Sequence, residues 1–135
     1  MSEMDEYVSM SVLIPKRCKE RFSQVIAGRG LKQQHLLANL IVWGSLDDDR
    51  IRSAYRRFRR INARGQLYDT CISTPRVKRF ERNIFKFKVL GLGLGYKNRE
   101  ILIGLIQMVV SKPKLLDEIA TFRADEFTKK RVATG

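Results

Sequence analysis

The side chains in this sequence best suited to binding chemistry are its cations, and they are concentrated. Residues 50–99 hold 15 Lys and Arg against two carboxylates, Asp69 and Glu81. That stretch has a net charge of +13, equal to the charge of the whole 135-residue chain, while residues 1–49 sum to −1 and residues 100–135 to +1. A block of one sign is the electrostatic footprint of a polyanion partner. A solubilising basic face and a membrane surface are the other readings of such charge.

Residues suited to catalysis do not assemble into a set. His35 is the single histidine and has no carboxylate or cysteine near it in sequence. Cys18 falls on the apolar face of a helical pattern and reads as a small buried hydrophobe. Cys71 is expected to be more exposed, with no motif for nucleophilic work around it. Asp47, Asp48 and Asp49 are adjacent, so on a helix they point apart, which suits a helix start better than a metal site. Gly91-Leu92-Gly93-Leu94-Gly95 lacks the Gly-Lys-Ser/Thr ending of a phosphate loop and reads as a turn between helices. Trp43, Tyr55 and Tyr96 are scattered and do not form the interleaved stacking platform of a single-strand binder. The expectation is a non-enzymatic protein with no cofactor and no metal.

The elements that must position the cations follow from the apolar pattern. Apolar residues make up 44% of the 15.7 kDa chain, enough for one packed domain. Two cysteines are too few for a disulfide framework, no apolar run is long enough to span a membrane, and the acidic start has no signal-peptide pattern. A cytoplasmic location is expected. Val8, Met10, Val12 and Ile14 alternate with Ser9, Ser11 and Leu13, which predicts a strand over 7–14. Pro15 ends it and suits the first turn of a helix from Lys16 to Ala27, which carries Cys18, Phe22 and Val25 on one face. Gly28 and Gly30 stop that helix, and a second runs from Lys32 to Ser45.

A shift of 65 positions lays this unit on a second one. Gly30, Lys32, Leu37, Leu40 and Ile41 fall on Gly95, Lys97, Leu102, Leu105 and Ile106. Upstream, Val12 meets Val77, Phe22 meets Phe87, Val25 meets Leu90 and Gly28 meets Gly93. One offset that aligns turn glycines and core positions together is the signature of an internal repeat. The chain is therefore expected to be one domain over 1–135: a first strand–helix–helix copy at 7–45, a basic helical connector at 46–71, a second copy at 72–111, and a C-terminal helix and tail at 112–135. The connector has Ile51, Ala54, Tyr55, Phe58 and Ile61 at helical spacing, with Arg52, Arg56, Arg57, Arg59 and Arg60 outward. The last helix opens at Pro113 and carries Leu115, Leu116, Ile119 and Phe122. Phe85 to Val89 alternates like a strand but is assigned to helix by its partner segment. Pro75 cannot donate to a ladder, so it must take an unpaired position or sit near the strand start.

Two short strands of this kind bury their apolar rows only by pairing, antiparallel, into a ribbon over four helices. The expected fold is mostly α with a short two-stranded antiparallel ribbon, related by a pseudo-two-fold within one chain. The alternating strand Ser9 to Pro15, the helix from Lys16, the Gly28/Gly30 turn and the second helix from Lys32 together resemble the ribbon–helix–helix family of DNA-binding proteins. That family normally builds the unit from two chains, so this chain resembles a single-chain pseudo-dimer, monomeric in solution. The resemblance implies a two-stranded ribbon inserted in the major groove of double-stranded DNA, where base edges are distinguishable. It makes Ser9, Ser11 and Leu13, with Thr74, Arg76 and Lys78, the base readers. Leu13 departs from the usual polar choice and suits a thymine methyl. The unlike half-ribbons imply a non-palindromic site. The resemblance also seats the N-termini of the second helices on phosphates, at Lys32 and Gln33 and at Lys97 and Asn98. Arg79, Arg56 and Arg60 are further phosphate contacts. The single-chain form and basic connector resemble accessory factors of T-DNA or plasmid DNA processing and transfer in virulence, which act with other DNA-processing proteins of the relaxosome type. A plasmid-type transcriptional repressor of the same fold and a general RNA-binding basic protein are the competing readings, and docking of an acidic protein on the connector is a third.

Overall fold

The computed structural model describes residues 7–63, 65, 67–92 and 98–121, of which 7, 9, 10, 34, 35, 63, 73–76 and 121 are described as backbone alone. The elements in chain order are β1 (Tyr7–Ile14), α1 (Lys16–Ala27), α2 (Gln33–Ser45), α3 (Asp48–Ala63), β2 (Thr70–Lys78), α4 (Arg79–Gly91), α5 (Asn98–Ser111) and α6 (Leu115–Thr121). The protein is mostly helical, with one two-stranded antiparallel sheet formed by β1 and β2. Phe85 to Val89 is helical, as its partner segment implied. None of the described helices is long and apolar enough to cross a membrane.

The second helices make the centre. α2 is buried at Leu36, Leu37, Ala38 and from Leu40 to Trp43, and α5 is buried at every position from Ile101 to Ile106 and again at Val109. Helices apolar around their circumference must be covered on several sides. The amphipathic helices supply the cover, and they do so by exchange. α1 lies against α5, α4 lies against α2, α3 lies against α5 and α6 lies against α2. Each copy is thus sealed by helices of the other.

Two sequence expectations are corrected by the packing. The uniform offset of 65 fails in the first helices: Phe22 and Phe85 are both fully buried, whereas Phe87 and Leu90 are 78% and 69% exposed. α1 starts at Lys16 and α4 at Arg79, an offset of 63, whereas α2 and α5 start 65 apart. The second copy therefore carries two extra residues between the starts of its helices. Phe87 matches Phe22 by sequence identity, but a two-residue slip turns a helical position through about 200°, out of the core. The second copy also begins earlier than expected, with β2 starting at Thr70.

The 65 offset extends further than the sequence reading took it. Ile51 and Ala54 of α3 correspond to Leu116 and Ile119 of α6, and all four are fully buried. At the α3–α5 crossing, a Cβ on Gly104 would lie 1.9 Å from the carbonyl oxygen of Ala54. At the equivalent α6–α2 crossing, the residue corresponding to Gly104 is Asn39, whose Nδ2 donates to the carbonyl oxygen of Ile119 at 3.2 Å.

Local chemistry sets the helix ends. Gly30 has φ +67°, and the N–H of Leu31 donates to the carbonyl of Ile26, closing α1 in the left-handed turn that glycine takes at least cost. Asp47 accepts the N–H of Asp49 at 2.9 Å, and Asp48 and Asp49 complete an acidic first turn of α3. Glu81 reaches back to accept the Lys78 N–H at 3.0 Å at the start of α4.

Candidate nucleic-acid interface

The ribbon has one inner and one outer face. Val12 and Ile14 of β1 and Ile72 and Val77 of β2 are buried, whereas Ser11, Leu13 and Cys71 are exposed. The register pairs Ser11 with Ser73, Val12 with Ile72, Leu13 with Cys71 and Val8 with Val77. Between the partners of Val8 and Met10, β2 has two residues, Pro75 and Arg76, where β1 has only Ser9. This is a bulge, and it explains the proline: Pro75 has no ladder partner to disappoint.

The bulge also sets which positions of β2 share a row. Alternation without a break had put Thr74, Arg76 and Lys78 in one outer row. The register pairs Thr74 with Met10 and Cys71 with Leu13, and before the bulge Cys71 is exposed on the outer face with Ile72 buried beneath it. Beyond it the parity inverts, with Val77 buried and Lys78 half-buried. Cys71 is thus an outer position missed from sequence, because an extra residue in a strand leaves no mark on composition. The side chains of Ser9, Thr74 and Arg76 lie outside the described set.

The starts of α2, α5 and α4 carry the other expected contact residues. Lys32 caps α2 with an extended backbone, its side chain is exposed, and no side chain caps the helix. The first intrahelical bond runs from the Leu36 N–H to the Lys32 carbonyl, so the amides of residues 33–35 precede the ladder. Gln33 is half-buried, and no acidic residue occupies that first turn. Asn98 begins α5 and is half-buried; Lys97 lies outside the described residues. Arg79, the first residue of α4, is exposed.

One end of the ribbon meets two other elements. A cleft of about 220 Å³ is lined by Leu13, by Phe58 and Asn62 of α3, by Tyr68, and by Arg99, Glu100 and Ile103 of the first turns of α5. Leu13 is 47% exposed there. Tyr68 donates to Asn62 Oδ1 at 3.2 Å and tilts against the Phe58 ring at 6.3 Å. Burial raises the Tyr68 hydroxyl above its ordinary pKa, and the nearby charges of Glu100 and Cys18 add to it. At the same end, Lys19 Nζ donates to the Cys71 carbonyl at 2.9 Å. The buried Cys18 contacts Gln107 Oε1 at 3.6 Å, and desolvation pushes its thiol up to about 11, although Arg21 pulls the other way.

On α3, Ile51, Ala54, Phe58 and Ile61 are buried and Arg52, Arg56, Arg59 and Arg60 are exposed on the opposite side. Arg57 is half-buried and donates to Ser111 Oγ. Among the described residues no group of His, Cys, Asp and Glu is placed to hold a metal. Comparison with protein-family models, with curated proteins and with solved structures finds no match.

Proposed function

We propose that this chain is a sequence-selective double-stranded DNA-binding protein of the ribbon–helix–helix type, built as a single-chain pseudo-dimer. The observation that carries the reading is the ribbon itself. The leading strands of two related halves pair, bury one face, and leave Ser11, Leu13 and Cys71 on the other. A two-stranded ribbon fits the major groove, where each base pair shows its own donor and acceptor pattern. The +13 block of residues 50–99 supplies the sequence-independent attraction. The uncapped start of α2 at Lys32 and Gln33 and the start of α5 at Asn98 supply amides for phosphate on either side.

In this reading Leu13 and Cys71 present an apolar pair at one end of the ribbon, suited to a thymine methyl. Arg76, in the bulge, brings a guanidinium suited to guanine. The halves differ, so the site is non-palindromic. The biological setting that suits such a chain is T-DNA or plasmid DNA processing. In its paired halves and basic connector the sequence resembles the agrobacterial virulence-region accessory protein that binds the overdrive enhancer.

Random-site selection on duplex DNA, followed by titration across salt, tests the reading. The expected result is one asymmetric motif, with affinity falling steeply between low and physiological salt. Arg76→Ala then relaxes selectivity at one base position by about 1–3 kcal/mol, while Lys32→Ala weakens all sequences alike. Displacement of duplex by structured RNA, with no selected motif, would point to the RNA-binding alternative.

A further inference from the structure

α3 and α6 occupy equivalent places, each laid across the second helix of the other copy. Their exposed faces carry opposite charge. At the positions of Arg52 and Ser53 in α3, α6 has Asp117 and Glu118. Asp117 is paired with Arg29 at 3.3 Å and Glu118 with Arg50 at 3.5 Å. α3 instead exposes Arg52, Arg56, Arg59 and Arg60, a stripe at spacing i, i+4, i+7 and i+8. Arg52 is paired with Asp49. Arg56 donates to the Ser53 hydroxyl, and Arg59 lies 5.9 Å from the Tyr55 ring centroid. Among the described residues, Arg56, Arg59 and Arg60 have no carboxylate partner.

We propose that α3 extends the DNA contact past one end of the ribbon only, so that the bound footprint is lopsided and has a direction. The inference rests on the duplex-DNA reading and adds to it which flank is held, and by what. The flank is the one beyond Leu13 and Cys71. There Phe58 and Asn62 of α3 line the same cleft as Leu13 and the first turns of α5. The stripe from Arg52 to Arg60 is about 12 Å long, the rise of three to four base pairs of backbone. Guanidinium groups that no described carboxylate neutralises, as at Arg56, Arg59 and Arg60, suit phosphate oxygens. The corresponding helix α6 instead offers carboxylates, which repel phosphate and are already held by Arg29 and Arg50.

The test uses the full chain and duplexes carrying the selected motif with ten flanking base pairs on one side, on the other side, or on neither. Leu13→Asn identifies the sides, because the base preference it alters marks the Leu13 end. The flank at that end is expected to tighten binding about tenfold at low salt and to steepen the salt slope by about 2 to 3, whereas the opposite flank changes neither. The variant Arg56→Gln/Arg59→Gln/Arg60→Gln should erase that gain and keep the base preference. Equal gains from both flanks would overturn the proposal. So would a variant that loses affinity equally with and without the flank, or one that loses none, as expected if the stripe serves an acidic protein. Failure of the wild-type chain to select any duplex motif would sink the DNA-binding reading itself; a selected motif with no flank effect would sink only the lopsided footprint.

Discussion

The two crossings at which a third helix lies over a central helix hold equivalent positions and are built differently. At α3 on α5 the backbone of Ala54 comes down onto Gly104, with no room for a side chain. At α6 on α2 the gap is wider and is bridged by the Asn39 amide. The first is a contact of shape and the second a contact of polarity. Here the tighter crossing anchors the long basic helix and the looser one anchors a short acidic helix.

Substitutions separate these cases, and the largest effect is expected at the closest approach. Gly104→Ala must push α3 away from α5, and we expect a loss of about 3 kcal/mol or more in thermal or urea unfolding. Asn39→Ala removes one hydrogen bond and should cost about 1 kcal/mol. Equal losses would mean that the Gly104 crossing relaxes freely. The two first helices give a test of similar size. Phe85→Ala and Phe22→Ala should each cost about 3–5 kcal/mol, while Phe87→Ala should change stability by less than about 0.5 kcal/mol. A destabilising Phe87→Ala with a harmless Phe85→Ala would restore the ungapped register.

A smaller effect distinguishes the two cysteines. Cys18 is buried and its thiol is raised to about 11, so its neutral form is favoured in the folded state. Its contribution is present below the ordinary thiol pKa of 9.0 and is lost as pH rises from there towards 11, by an amount on the order of 2 kcal/mol. Unfolding of the wild type and of Cys18→Ala across pH 8–11 should show the extra slope in the wild type alone. In alkylation at pH 8, the exposed Cys71 should react and Cys18 should stay protected until the protein opens. The smallest effect is expected at the surface ion pairs: Asp117→Asn should cost under about 1 kcal/mol, given an exposed carboxylate.

How much of this was legible in the sequence varied with the kind of signal. The strand over 7–14 was readable because its alternation meets a buried face. α3 was readable because five arginines interrupt an apolar row at helical spacing. The second copy misled for a physical reason. Phe87 matches Phe22 in type, and letter-matching has no access to the rotation that two extra residues impose. The bulge at Pro75 and Arg76 was half legible: the proline demanded an unpaired place, but nothing marked the inversion of parity that leaves Cys71 exposed on one side of the bulge and Val77 buried on the other. The correspondence of α3 with α6 went unread because Arg52 and Ser53 stand where α6 has Asp117 and Glu118, and only Ile51, Ala54, Leu116 and Ile119 keep apolar matches. For the candidate interface, the exposed Ser11, Leu13 and Lys32 were foreseen, whereas the cleft that joins Leu13 to Phe58 and Tyr68 needs three elements distant in sequence to converge.

The mutual sealing of the copies has a consequence for how the molecule is made. As the chain leaves the ribosome, residues 7–63 emerge without the surfaces that cover them: α3 waits for α5, α2 waits for α4, and β1 waits for β2. The amino-terminal half is therefore an open apolar intermediate during synthesis, vulnerable to proteases and to its neighbours on the same message, until roughly the last quarter of the polypeptide arrives.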